Sequence, residues 1–201
     1  MNRSALLLTS IVALVAGCDT APKTDQGRAA LTSDAKGTVA SFIATDPTLN
    51  ELVNQSRGYA VFPDVGKAGF IAGGAYGRGE VYDRGMLVGY ADLAQGTVGL
   101  QIGVQNYDEL ILFLTDEQMA KFRANQFAIS ANLSAVAITS GAAAAADHSK
   151  GVIVFVRSRG GLMAEASIGG QQFTFKPLGE NRGGVDASMD SRRANGPGTD
   201  Q

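Results

Sequence analysis

At Gly58 the spacing of apolar residues changes from helical to alternating, and this change does most to limit what the chain can become. Alternation sends successive side chains to opposite faces of an extended strand, so the chain beyond this point is committed to a sheet. Tyr59 to Pro63 reads as a short strand. Lys67 to Tyr82, rich in Gly, aromatic and β-branched residues, reads as further strand, and Asp83, Arg84 and Gly85 make a turn into Met86 to Tyr90. Thr97 to Gln105 gives the clearest alternation, with Val98, Leu100, Ile102 and Val104 on one face and Gly99 and Gly103 leaving the other nearly bare. Leu110 to Leu114 is apolar throughout, as a strand buried on both faces would be. Gly151 to Val156, Leu162 to Ile168 and Gln172 to Lys176 complete the strand candidates. Phe127 to Thr139 reads as a strand with Phe127, Ile129, Ala131 and Leu133 on one side, although the Ala142 to Ala146 run allows a helix there instead.

Helices flank this pattern. Ser33 and Asp34 are expected to cap a helix carrying Val39, Phe42 and Ile43. Asp46 and Pro47 open a second one, with Leu49, Leu52 and Val53 inward and Gly58 as its stop. Thr115, followed three residues later by Gln118, resembles a capping box opening a third helix that buries Met119 and Phe122. The expected fold class is α+β: a large, mostly antiparallel, Gly-rich β-sheet or barrel-like core with a few short helices, including N-terminal helices ahead of the sheet.

The opening residues are expected to form a leader. Arg3 precedes an apolar run from Ala5 to Ala16, too short for the roughly 20 residues a spanning helix needs and the size of a signal-peptide core. Leu14, Val15, Ala16, Gly17 and Cys18 resemble the lipobox of bacterial lipoproteins, in which the cysteine receives a diacylglyceryl group, becomes the new N-terminus and is acylated. Cys18 is the single cysteine, so no disulfide partner competes with that reading. Residues 1–17 are then signal peptide, 18–32 a lipidated flexible tether, 33–177 the folded domain and 178–201 a tail too poor in apolar residues to order itself. With this arrangement the protein is expected in a bacterial cell envelope, lipid-anchored and facing the periplasm. Asp19 resembles an inner-membrane retention signal, and the choice between inner and outer membrane stays open.

Catalytic patterns are absent from the sequence. His148, the single histidine, stands between Asp147 and Ser149 in a polar stretch, and one histidine with one leader-proximal cysteine gives neither a metal site nor a persuasive triad. Gly73, Gly74, Gly77 and Gly79 lack the G-x-G-x-x-G spacing, and Gly66-Lys67 is followed by Ala68, so neither phosphate-loop motif is met. The net charge of −2 excludes a general basic field for nucleic acid. Glycine, at 26 of 201 residues, is about twice its usual ~7% share. Its placement on strand faces admits a close neighbour, either the protein's own core or an extended apolar ligand.

Several segments together resemble one family. Arg57-Gly58-Tyr59-Ala60-Val61-Phe62-Pro63 and Lys67-Ala68-Gly69-Phe70-Ile71-Ala72-Gly73-Gly74 resemble the opening of the SYLF domain, found in bacterial lipoproteins and in yeast and animal actin-patch proteins. Thr97 to Gln105, Leu110 to Leu114, Thr115-Asp116-Glu117, and Lys150-Gly151 with Gly160-Gly161-Leu162-Met163-Ala164 continue the resemblance in order, over roughly residues 50 to 176. Two departures stand out. Asn125 to Ser130 replaces the Trp-Glu-Ile-Gly segment of many bacterial relatives, and Ser134 to Ile138 replaces a valine-rich strand.

The resemblance implies phospholipid binding without catalysis or cofactor, at a membrane reached through the anchor. Lys67, Arg78 and Arg84, near the Gly-rich hairpins, are the candidate head-group cations, and Gly99 and Gly103 the candidate close-approach face. An envelope scaffold that docks a protein partner, without a lipid ligand, is the rival expectation.

Overall fold

The computed structural model of the chain describes residues 21–69, 72–98, 105–129, 135–159 and 170–179. The first helix, α1 (Asp25–Thr45), starts before Ser33, inside the stretch expected to be tether. Thr24 is its cap, accepting the Gly27 N–H at 3.0 Å, and Arg28, Ala29, Ala30 and Leu31 are good helix formers. Ser33 and Asp34, read as the cap, instead lie exposed on the helix surface, where their cost is small. Ala35, Thr38 and Phe42 form the buried stripe, while Val39 and Ile43 are half-buried.

The turn into α2 (Leu49–Gln55) is held by Asp46, whose Oδ1 accepts from Thr48 N at 3.1 Å and Thr48 Oγ1 at 2.7 Å. Its Oδ2 accepts from Ala143 N at 2.8 Å, at the start of α4 (Ala142–Ala145). One buried carboxylate therefore ties the α1–α2 corner to a helix far along the chain.

The sheet contains β1 (Gly58–Gly69), β2 (Ala72–Asp83), β3 (Met86–Val98), β4 (Gln105–Phe113), β5 (Ala128–Ile129), β6 (Ala135–Ala137), β7 (Val152–Ser158) and β8 (Gln171–Pro177), with α3 (Asp116–Arg123) between β4 and β5. Its order is β5-β8-β3-β2-β1-β4-β7-β6, antiparallel except for β6 with β7. The break expected after Pro63 is a bulge within β1. Register shifts on both neighbours there, and Asp64 takes φ 62°, because Pro63 has no N–H to give the ladder. Arg84 and Gly85, with φ of 49° and 77°, make the two-residue β2–β3 turn in the left-handed sense that matches strand twist.

Two expected strands are not single strands. Thr97 and Val98 end β3, paired with β2, whereas Gln105 begins β4, paired with β1; Gly99 and Gly103 lie outside the described residues. Likewise Phe127 to Thr139 supplies β5 and β6, which stand at opposite edges of the sheet. Leu162 to Ile168 also falls outside the described residues.

The β5–β6 connection dictates the shape. Eight strands laid flat would separate their outer members by about 33 Å, yet the link from Ile129 to Ala135 cannot exceed about 20 Å. The sheet must curl into a half-barrel. Side chains meeting across the inside confirm it: Gln171 on β8 donates to Glu109 on β4 at 2.8 Å, although three strands separate them in the sheet.

Curling creates an inner and an outer core. Inside, Phe62, Phe113, Phe122, Phe127, Phe173 and Phe175 pack with Met119, closed at one end by α3. Outside, Phe42, Leu49, Leu110, Leu112 and Phe155 join α1, α2 and α4 to the sheet. This double burial is what the uninterrupted apolar run of β4 announces. Gly79 admits the inner core, since a methyl there would stand 2.6 Å from the Phe62 ring and 2.4 Å from the Val61 carbonyl oxygen.

Candidate functional site

The described part of the half-barrel interior is packed with apolar side chains. Among its polar groups, Gln171 Nε2 donates to the Glu109 carboxylate and, at 3.1 Å, to the Tyr107 hydroxyl. Burial, helped by the charge of Glu109, pushes the Tyr107 hydroxyl far above its ordinary range. On the outer face, Glu80 is wholly buried and accepts from Thr32 Oγ1 and Tyr82 Oη, both at 2.6 Å, which fixes α1 on β2.

Space lies instead at the end of the sheet where β3 begins and β8 finishes. A groove of about 790 Å³ is lined by Ala21, Lys23, Asp25, Arg28, Tyr90, Pro177, Leu178 and Gly179. The start of α1 forms one wall, because Thr24 caps the helix and Arg28 donates to the Pro22 carbonyl at 2.8 Å. The other wall follows from Leu178 N donating to Val88 O at 2.9 Å, which prolongs the β8–β3 pairing past Pro177. Burial raises the Tyr90 hydroxyl pKa, so this residue brings an uncharged hydroxyl and an aromatic face. Arg28 pairs with Asp25, and Lys23 also has a partner. The lining thus offers apolar surface beside two basic groups and one carboxylate, the guanidinium of Arg28 being paired with Asp25.

The expected head-group cations do not gather. Lys67 is near the β1–β2 end, opposite Gln105 and Ala75, and Arg84 is at the other end of β2, about 30 Å along the strand. Arg78, between them, has Nε 3.6 Å from Asp92 Oδ1, which also accepts from the Tyr76 hydroxyl at 2.8 Å. One head group cannot touch all three. Cys18 lies outside the described residues, three positions before Ala21. His148 is in an exposed loop with Nε2 3.4 Å from the Ala143 carbonyl oxygen, and among the described residues no metal-binding cluster occurs.

Most surface cations are engaged. Arg57 and Arg123 pair with Asp83, and Arg157 and Arg159 share the buried Asp108, with Arg159 Nε at 2.6 Å. Among the described residues, the side chains of Lys36 and Arg84 make no hydrogen bond or ion pair. Sequence reading missed the groove because its walls come from stretches assigned to tether and tail. The available signal was Leu178, a large aliphatic residue directly after the last strand.

No curated protein matches the chain. Residues 94–178 match the family model described as Ysc84, Las17-binding protein actin regulator. That stretch runs from within β3 to the end of β8 and omits β1 and β2, which lie between β3 and β4 in the sheet. The folded unit therefore extends back at least to Gly58. This match, over less than half of the chain, is consistent with a SYLF (Ysc84) domain, a family of lipid- or actin-related binding domains.

Proposed function

We propose that this protein is a non-enzymatic phospholipid-binding module, tethered through an acylated Cys18 to an envelope membrane and facing the periplasm. The observation that carries the reading is the groove where α1 begins and β8 ends, because apolar surface and cations meet there beside the start of the described chain. Three residues span at most about 11 Å, so an acylated Cys18 would hold Ala21, and the groove with it, against the bilayer surface. Arg28 and Lys23 would face the phosphate of a lipid, and Tyr90, Pro177 and Leu178 its glycerol and upper acyl carbons.

The test is flotation of a chain beginning at Asp19, which retains every described element, with vesicles containing anionic phospholipid. Binding is expected, and to weaken with salt, since exposed charges are screened over about 8 Å at physiological ionic strength. Arg28→Glu should reduce it. The family description names a protein-binding actin regulator, which keeps a scaffold role as the rival. A protein that floats with no vesicle composition and carries no lipid by mass spectrometry would favour that rival.

A further inference from the structure

Three large apolar side chains are exposed among the described residues: Tyr76 at 43%, Met86 at 67% and Leu178 at 49%. Two of them share one end of the sheet. Leu178 pairs through its N–H with Val88, and Met86 is two residues further along β3, roughly 7 Å away along the strand. Arg84 precedes Met86 in the β2–β3 turn. Lys36 on α1 and Gly85 of that turn line the same shallow cleft, with Ala40, Ile43 and Tyr59.

The two described cations without a side-chain partner are therefore at the same end as the two exposed aliphatic residues. Elsewhere this protein neutralises its arginines with acids: Asp83 takes Arg57 and Arg123, and Asp108 takes Arg157 and Arg159. Ala21 and Leu178 line one groove, so the anchored end of the chain arrives at this same place. Exposed aliphatic tips bordered by unpaired cations fit the boundary of an anionic bilayer, where apolar groups enter the acyl region and ammonium or guanidinium groups stay at the phosphates.

We infer that the protein docks end-on to an anionic phospholipid bilayer through the Asp83–Met86 turn, with Met86 and Leu178 entering the interface and Lys36 and Arg84 contacting phosphates. This rests on the phospholipid reading above and adds an orientation: the β2–β3 turn faces the membrane and the β1–β2 end faces away. The groove takes one lipid molecule while the turn meets the bilayer as a surface, and Leu178 borders both.

The chain has no tryptophan, so one introduced residue reports alone. Full-length protein carrying Met86→Trp, Leu178→Trp or Tyr76→Trp is mixed with vesicles containing anionic phospholipid, with or without brominated acyl chains, and the bound fraction is isolated by flotation. All three positions are exposed, and far-UV circular dichroism checks each fold. The expected result is a blue shift and strong bromine quenching at positions 86 and 178, with neither at 76. Lys36→Gln with Arg84→Gln should lower vesicle partitioning of the Asp19-start chain on the order of 30-fold, at about fivefold for each cation near an anionic surface. Floating protein unquenched at 86 and 178, or quenched at 76 instead, overturns the docking orientation and leaves lipid binding standing. Absence of flotation overturns both.

Discussion

Replacing Asp46 with alanine removes one carboxylate that is 1% exposed and accepts from three donors: Thr48 N, Thr48 Oγ1 and Ala143 N. Loss of the turn-capping bonds costs about 1 kcal/mol. The bond from Ala143 is to a charged acceptor, and its loss leaves a buried N–H unpaired, about 2 kcal/mol more. A total of about 3 kcal/mol corresponds to a fall in Tm of roughly 6 to 12 °C for a domain of this size. Asp46→Asn should cost less than alanine, because one amide oxygen can still accept while the NH2 group opposes a donor.

The pH dependence identifies the carboxylate. The Ala143 N–H first, and the Thr48 hydroxyl next, hold the Asp46 carboxyl below its usual range in the folded protein. A group depressed on folding contributes fully above its unfolded pKa of about 3.9, and that contribution is lost as pH falls through the lower folded value. The stability gap between wild type and Asp46→Asn, measured by urea unfolding, should be constant from pH 7 to 5 and close below about pH 4. A gap that persists unchanged at pH 3, or is missing at pH 7, refutes the reasoning.

Further outcomes concern glycine and the anchor. Gly79→Val should destabilise by about 1 to 3 kcal/mol, because its side chain would overlap the Phe62 ring and Val61 carbonyl, read as a lower urea midpoint. Gly37→Ala should raise that midpoint, by about 0.5 to 1 kcal/mol, since Gly37 lies within α1 and a methyl there meets nothing within 4 Å. Cys18→Ser should abolish acylation and leave a heavier precursor retaining residues 1–17. Intact-mass measurement checks this, and wild-type protein without added acyl mass would refute the anchor.

What could be read from the sequence was local. The turn between β2 and β3, the Thr115 cap accepting from Gln118 N at 3.3 Å, the inward Met119 and Phe122, and the doubly buried β4 each depend on a few adjacent residues. The α+β class with helices ahead of a mostly antiparallel sheet followed from their sum. What escaped depended on partners distant in the chain. Pro63 looks like a strand end until neighbours on both sides show a bulge. Ala128 and Ala135 look like one strand until β8 and β7 claim them separately. Lys67, Arg78 and Arg84 share nearness to hairpins along the sequence, and the length of β2 sets Lys67 and Arg84 far apart.

The strand order also bears on how the chain reaches this state. β1 to β4 are consecutive in sequence and lie together in the middle of the sheet, so they can assemble from a nascent chain that has passed Phe113. Their outward edges then stay open until β7 covers β4, pairing Phe113 with Val152, and β8 covers β3, pairing Gly89 with Pro177. Contacts so distant in sequence form slowly, and exposed strand edges recruit other chains in the interval. A chain stopped before Gln171 would keep the β3 edge unpaired for good. It should accumulate as aggregates rather than as a smaller soluble domain, which makes the final strand the step that ends a hazard as well as the one that closes a wall of the core.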